Sequence, residues 1–346
     1  MDKVLTVIVA VYNVEKYIRK CLDSLIVSEE LMQKVEVLVI NDGTPDNSAK
    51  IAREYEKKYP ESFKVIDKEN GGPGSAWNLG VKVATGKYIR FLDSDDWLVN
   101  TQMFINKLED YDVDIVFTDW YDYFVQNDNL VLHSLMSVMV PDIIFKVKEY
   151  DWSRTNNLYI SNALTNFHRC TYRTTILQEH KNIFIERQMY ADMPLYVLPL
   201  CCSETFVYFE FPLYCYLHGR EEQSIDRKKV VKNYISLIAS NKHTVMLYRS
   251  LPVCNDNVNN KIINIIDRTT TEHLKILKYL SYNSFYNQMN SFILWLREFF
   301  PEYKGDFYIK AFLISPVICW ILYHYIQPIT HPLIKYIRSL FLFVRK

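Results

Sequence analysis

The sequence predicts an α/β fold closed by a helical region, and three observations predict it. In the first hundred residues, short β-branched runs alternate with segments of helical apolar period. The connections between these runs are short, which favours parallel strands with right-handed crossovers. Beyond Arg227 the apolar spacing turns helical. At 346 residues, 49% apolar and 23% charged, the chain has globular composition and is not disordered, collagen-like or coiled-coil.

Val4–Val11 is a continuous β-branched run and reads as a buried strand. After Asn13, placed as an N-cap, Ile18, Cys21, Leu22, Leu25 and Ile26 follow the spacing of one buried helix face. Val35–Ile40 reads as a second strand and Asp46–Tyr59 as a helix stopped by Pro60. Phe63–Asp67 reads as a short strand, Ser75–Thr85 as a helix and Tyr88–Leu92 as a fourth strand. From Asn100 to Arg227 the pattern is irregular, with strands expected at Val113–Thr118 and Phe206–Phe211. Helices follow near Val230–Leu251, Asn257–Leu280 and Ser284–Phe300, and no longer repeat recurs.

Forty Lys and Arg balance forty Asp and Glu, so no global field draws the chain to nucleic acid. Seven cysteines without a C-x-x-C pair suit reduced, buried thiols, and the spacings around His168, Cys170, Cys201, Cys202 and Cys215 fit no zinc pattern. The apolar run after Lys3 has no small-residue cleavage site behind it and reads as a strand, not a leader. Ala311–Ile326 holds Pro316 and His324 and is short for a bilayer span. From Gly305 onward the basic residues Lys310, Lys335, Arg338, Arg345 and Lys346 face one acid, Asp306, among many aromatics. That composition suits an anionic membrane surface, a partner-binding face or a helix pair packed on the core.

Chemistry is expected where special residues converge. Of eight glycines, Gly71, Gly72, Gly74, Gly80 and Gly86 lie within sixteen residues, in and beyond a βα turn where a ligand or a neighbouring element can approach closely. The segment matches neither G-x-G-x-x-G nor G-x-x-x-x-G-K-[ST]. Asp93, Asp95 and Asp96 end the fourth strand, at the side where open α/β sheets bind ligands, and a hard divalent cation sharing oxygens with a diphosphate would relieve their repulsion. Asp42 ends the second strand at the same edge as Tyr12 and Asn13. A tight turn and a solvated acidic loop are the plain alternatives.

Four runs in this order, Thr6–Asn13, Val39–Thr44 with Asp46 and Ser48, Asn70–Gly80, and Gly86–Trp97, resemble family 2 glycosyltransferases of the GT-A fold, strongly over residues 4–120. The look is of bacterial enzymes that build capsule, exopolysaccharide or lipopolysaccharide. The resemblance implies a Rossmann-like mixed sheet flanked by helices, with residues 1–100 as the donor half, 101–226 as the acceptor half and 227–346 as a helical C-terminal region. It implies Ala10 and Tyr12 lining a nucleotide pocket, Asp42 accepting from the base edge, Asp93 holding the ribose, and Ser94 beside it. Asp95 would ligate Mg²⁺ or Mn²⁺ on the donor diphosphate. Trp77 stands where many relatives have an Arg; it either stacks on the base or packs in the core. Asp192, in Tyr190–Leu195, resembles the catalytic base of inverting transfer; a helix N-cap is its other reading, and Glu186 is its nearest rival. His218–Arg220 with Gln223, Ser224 and Ile225 resembles a stretch that closes over donor phosphates.

The implied activity is transfer of one sugar from a nucleotide-diphosphate donor, UDP-linked in the commonest case, to a hydroxyl of a lipid-linked glycan. It would take place in the cytoplasm at the inner membrane face. The absence of a Q-x-x-R-W segment speaks against a processive synthase. A nucleotide-sugar-binding protein without turnover, and an assembly partner in a polysaccharide-synthesis complex, are the competing readings. The basic aromatic tail makes one direct prediction: a chain truncated before Gly305 loses the sedimentation with anionic liposomes that the full chain shows.

Overall fold

The computed structural model describes residues 3–155, 166–220, 223, 227–302, 310, 312–313 and 315–321. Ten strands form one sheet: β1 Leu5–Val11, β2 Val35–Asn41, β3 Phe63–Asp67, β4 Tyr88–Asp93, β5 Trp97–Leu98, β6 Ile115–Phe124, β7 Asn129–His133, β8 Phe145–Lys146, β9 Cys170–Arg173 and β10 Thr205–His218. The order is β3-β2-β1-β4-β9-β6-β10-β5, with β7 on β6 and β8 on β10. The first four strands are mutually parallel, as expected. β9 is antiparallel to both β4 and β6, and β6 is parallel to β10. β4, β6 and β10 therefore point the same way, and their C-terminal ends share one edge.

The central strands are buried because both faces are covered: Leu5, Val7, Ile8, Val9 and Val11 of β1 are all fully enclosed. One helix, Ser48–Lys58, matches expectation closely. The first helix is shorter than expected, Ile18–Asp23, and Asn13 is not its cap but a left-handed residue ahead of it. β6 and β10 both run past the expected ends. Pro212 lacks an N–H for the ladder, so β10 slips register around it and resumes pairing at Tyr214. Both strands thereby carry polar side chains to the shared edge. The helical region comprises Arg227–Lys232, Tyr234–Ser250, Asp256–Leu274, Tyr282–Phe299 and Pro316–Ile321. Among the described residues no helix is long and apolar enough to cross a membrane. Most of the basic tail lies outside the described residues.

The glycine-rich segment is helical, not a loop: the helix Gly72–Val83 begins inside it. Gly72 has φ +80°, which glycine adopts at no steric cost. Gly74 lies under the segment before Asp192, where a Cβ would collide with the Ile185 carbonyl. That neighbour is backbone, so it cannot rotate away. Gly74→Ala is accordingly expected to destabilise the fold by about 1–3 kcal/mol, read from urea denaturation.

Candidate functional site

Asp96 organises the carboxylate turn after β4. Its N–H donates to the Asp93 carbonyl at 3.0 Å, closing the turn. Its carboxylate is fully buried and accepts from the Tyr214 hydroxyl at 2.6 Å and the Leu217 N–H at 2.8 Å. The Tyr214 oxygen in turn accepts the Asp93 N–H at 3.2 Å. Asp96 thus faces into the protein, and Ser94 is buried too, while Asp93 and Asp95 remain partly exposed. Arg220, two residues beyond β10, donates from Nε to Asp95.

Asp192 reaches the same place from a distant segment. Its charge acts on Asp93, whose carboxyl is pushed up to about 8 by burial first and then by Asp95 and Asp192, with Arg220 opposing. Asp192 precedes the 3-10 turn Met193–Tyr196 in the cap position, yet its side chain makes no cap bond. Its Oδ2 accepts instead from the Tyr196 hydroxyl at 2.5 Å. Burial raises the Asp192 pKa, and that hydrogen bond holds it back. Glu186, the rival base, is exposed and bonds Asn78 at 3.3 Å.

Two of the expected donor-site residues are enclosed by protein. Trp77 is 4% exposed and boxed by Phe91, Phe184 and Phe167 at ring distances of 5.3, 5.2 and 5.5 Å, so its faces are covered by protein and it is a core residue, not a base platform. Asp42, expected to accept from a base edge, accepts three hydrogen bonds from the protein itself. Oδ1 accepts from Lys68 Nζ at 2.6 Å and Gly71 N–H at 2.9 Å, and Oδ2 from Gly72 N–H at 2.8 Å. Asp42 therefore clamps the start of the glycine helix and holds Lys68 beside it. Ala10 lies in β1 between Ile40 and Asp93, and Tyr12 just beyond is half exposed at the mouth.

The sequence reading weighed His168 only for zinc with the cysteines and did not join it to the aspartates. It is 7% exposed, its Nδ1 has no partner among the described residues, and one of its ring nitrogens lies with carboxylate oxygens of Asp93 and Asp96 in a group spanning at most 4.8 Å. Burial pushes its pKa down to about 3, leaving it neutral. A second missed group is Asp122, whose carboxylate lies 2.7 Å from His133 Nε2 and 3.1 Å from His218 Nε2. Burial would raise its pKa, but the two imidazoles hold it well below the usual carboxylate range. No local pattern flags either group, because each joins segments far apart in the chain. The Tyr196 contact had a signal, a phenol four residues after the acid.

Asp93 and Asp95 offer the oxygen donors that a hard divalent cation takes, and a His168 ring nitrogen lies within 4.8 Å of carboxylate oxygens of Asp93 and Asp96. Ser224 and Ile225 of the closing stretch lie outside the described residues. Gln223 fastens its near end, accepting the Gly219 N–H at 3.1 Å.

Comparison with known proteins places the chain. A family model described as Glycosyl transferase family 2 matches residues 6–181. The chain is 28% identical over 225 residues to "Glycosyltransferase GlyA" of Streptococcus pneumoniae, covering 62% of this chain and 31% of that protein. It is 41% identical over 107 residues to "Minor teichoic acid biosynthesis protein GgaB" of Bacillus subtilis, covering 31% of this chain and 12% of that protein. The aligned parts thus span less than a third of these relatives. The crystal structure of S. aureus TarS 1–349 in complex with UDP-GlcNAc superposes with a TM-score of 0.62 at 19% identity, over 93% of this chain and 89% of that one. This likeness shows that the fold is GT-A.

Tyr214→Phe removes one of the two donors to the buried Asp96 carboxylate. The expected loss of stability is about 1–3 kcal/mol, measured by chemical denaturation.

Proposed function

The chain belongs to glycosyl transferase family 2, and from that membership we propose that it is an inverting glycosyltransferase. It would move one sugar from a nucleoside-diphosphate donor, a UDP-sugar, to a hydroxyl of a surface polysaccharide under construction. The observation that carries the reading is that Asp93 and Asp95 follow a strand at the C-terminal edge of the parallel strands β1, β2 and β4, where the charge of the distant Asp192 acts on Asp93. TarS, solved with UDP-GlcNAc, supports the donor class, and GgaB, named for teichoic acid biosynthesis, supports a cell-surface polymer as product. Residues 1–100 would hold the donor, 101–226 the acceptor, and the tail after Gly305 would bring the chain to a lipid-linked acceptor at the inner membrane face.

Ala10 and Tyr12 wall the nucleotide pocket, and Asp42 shapes its far side by fixing Gly71 and Gly72. Lys68 supplies positive charge beside the nucleotide. Asp93 takes the ribose and Asp95 the metal. A Mg²⁺ or Mn²⁺ ion there would neutralise the charge that develops on the departing diphosphate. Arg220 shares that task by electrostatic attraction to phosphate oxygens. Asp192 accepts the proton of the acceptor hydroxyl as that oxygen attacks the anomeric carbon from the face opposite the diphosphate, and Tyr196 holds its carboxylate in line.

Calorimetric titration with UDP, GDP, CDP and dTDP, each with and without Mn²⁺, tests the donor. Metal-dependent UDP binding that Asp95→Ala weakens by more than about tenfold is expected; no nucleotide bound under any condition overturns the reading. The pH profile tests the base. Burial raises the Asp192 pKa and the Tyr196 bond lowers it, so Tyr196→Phe raises it further. Because the ionised form is the base, the acidic limb of the kcat profile moves to higher pH in Tyr196→Phe, and activity falls most at low pH.

A further inference from the structure

The segment that delivers Asp192 follows a costly path. Asn182, Arg187 and Tyr190 have φ of 53°, 57° and 59°, left-handed conformations that L side chains rarely adopt and that persist only where surrounding contacts impose them. Contacts come from two sides. On one, the glycine helix engages it: the Arg187 N–H donates to the Gly71 carbonyl at 2.6 Å, and the Asn78 side chain bonds both the N–H and the carbonyl of Phe184 at 3.0 and 2.8 Å.

On the other side lies the helix Tyr234–Ser250, from the region read in the sequence as an appendage. Ser236 Oγ donates to Gln188 Oε1 at 2.8 Å, Ser240 Oγ to the Tyr190 carbonyl at 2.5 Å, and His243 Nε2 to the Ile183 carbonyl at 2.8 Å. Positions 236, 240 and 243 follow the i, i+4, i+7 spacing of one helix face, so the three donors form a stripe laid along the segment. The same helix packs against the turn Met193–Tyr196 that carries the Asp192 partner. Ser240 is fully buried, and a buried hydroxyl on a helix is costly unless its partner is made. Here the partner is the carbonyl of the left-handed residue two positions before Asp192.

We infer that this stripe positions the catalytic base: Ser240, flanked by Ser236 and His243, holds Tyr190 in its left-handed conformation and thereby aims the Asp192 carboxylate at the acceptor hydroxyl. The helical region is then part of the transfer machinery. The inference rests on the reading of Asp192 as base, though not for its structural half. Ser240 touches no substrate; it is a positioning residue, and a displacement of about 1 Å at a reacting group is enough to cost a large rate factor.

The test uses the full chain. Hydrogen exchange of amides 186–192, UDP affinity with Mn²⁺, and kcat are measured in the wild type, Ser240→Ala, His243→Ala, and Met246→Ala, the last on an exposed face of the same helix. In Ser240→Ala the expected results are exchange of that segment faster by about tenfold, kcat lower by about tenfold and UDP affinity within about twofold. His243→Ala shifts the same amides by a smaller factor, and Met246→Ala shifts none. Unchanged exchange in both stripe variants overturns the inference, as does a parallel loss of UDP affinity and of protection across the whole sheet, which marks a general folding role. Should Ser240→Ala not fold, His243→Ala decides by the same criteria. A wild type that transfers no sugar while the stripe variants still loosen residues 186–192 would refute the assigned activity and leave the positioning of the segment established.

Discussion

One buried carboxylate joins the two halves of the sheet. Asp96 belongs to the turn after β4, and both its donors, the Tyr214 hydroxyl and the Leu217 N–H, belong to β10, more than a hundred residues later. A buried carboxylate without partners is costly, and that cost pins the end of β10 against the end of β4. The placement of everything downstream follows. Arg220 emerges from β10 onto Asp95, and Asp93, whose N–H is held by the same Tyr214, is left partly exposed.

The edge so formed has an excess of negative charge in a partly enclosed space. Burial first, and then the charges of Asp95 and Asp192, push the Asp93 carboxyl far above its ordinary range, with Arg220 opposing. Such a cluster is poorly suited to hold the chain together and well suited to receive a divalent cation with a diphosphate. The glycine helix serves the same edge from the other side. Asp42 clamps its first turn and Gly74 admits the Asp192 segment against its backbone. The proposed donor pocket and the proposed base therefore both lean on the glycine helix.

The helical region changes standing once its contacts are seen. As a string of apolar periods it reads as a covering for the core or an anchor for a membrane. In the fold, its helix Tyr234–Ser250 bears polar side chains on the segment before Asp192.

What the sequence by itself determined is the part governed by local pattern. Val4–Val11, Val35–Ile40, Phe63–Asp67 and Tyr88–Leu92 are strands because β-branched runs bounded by turns have few other solutions, and parallel strands bring Tyr12, Asp42 and Asp93 to one edge by topology alone. What only the tertiary structure decided is which distant groups meet. Trp77 lies in the core because Phe91, Phe167 and Phe184, from three separate segments, close around it. Asp42 is held by Lys68 and two glycine N–H groups, Asp95 by Arg220, Asp192 by Tyr196, and the segment before Asp192 by Ser240. Periodicity reports whether a residue is buried; it carries no information about the partner, because hydrogen bonds and ion pairs are fixed by distances between segments that the chain sets only when it folds.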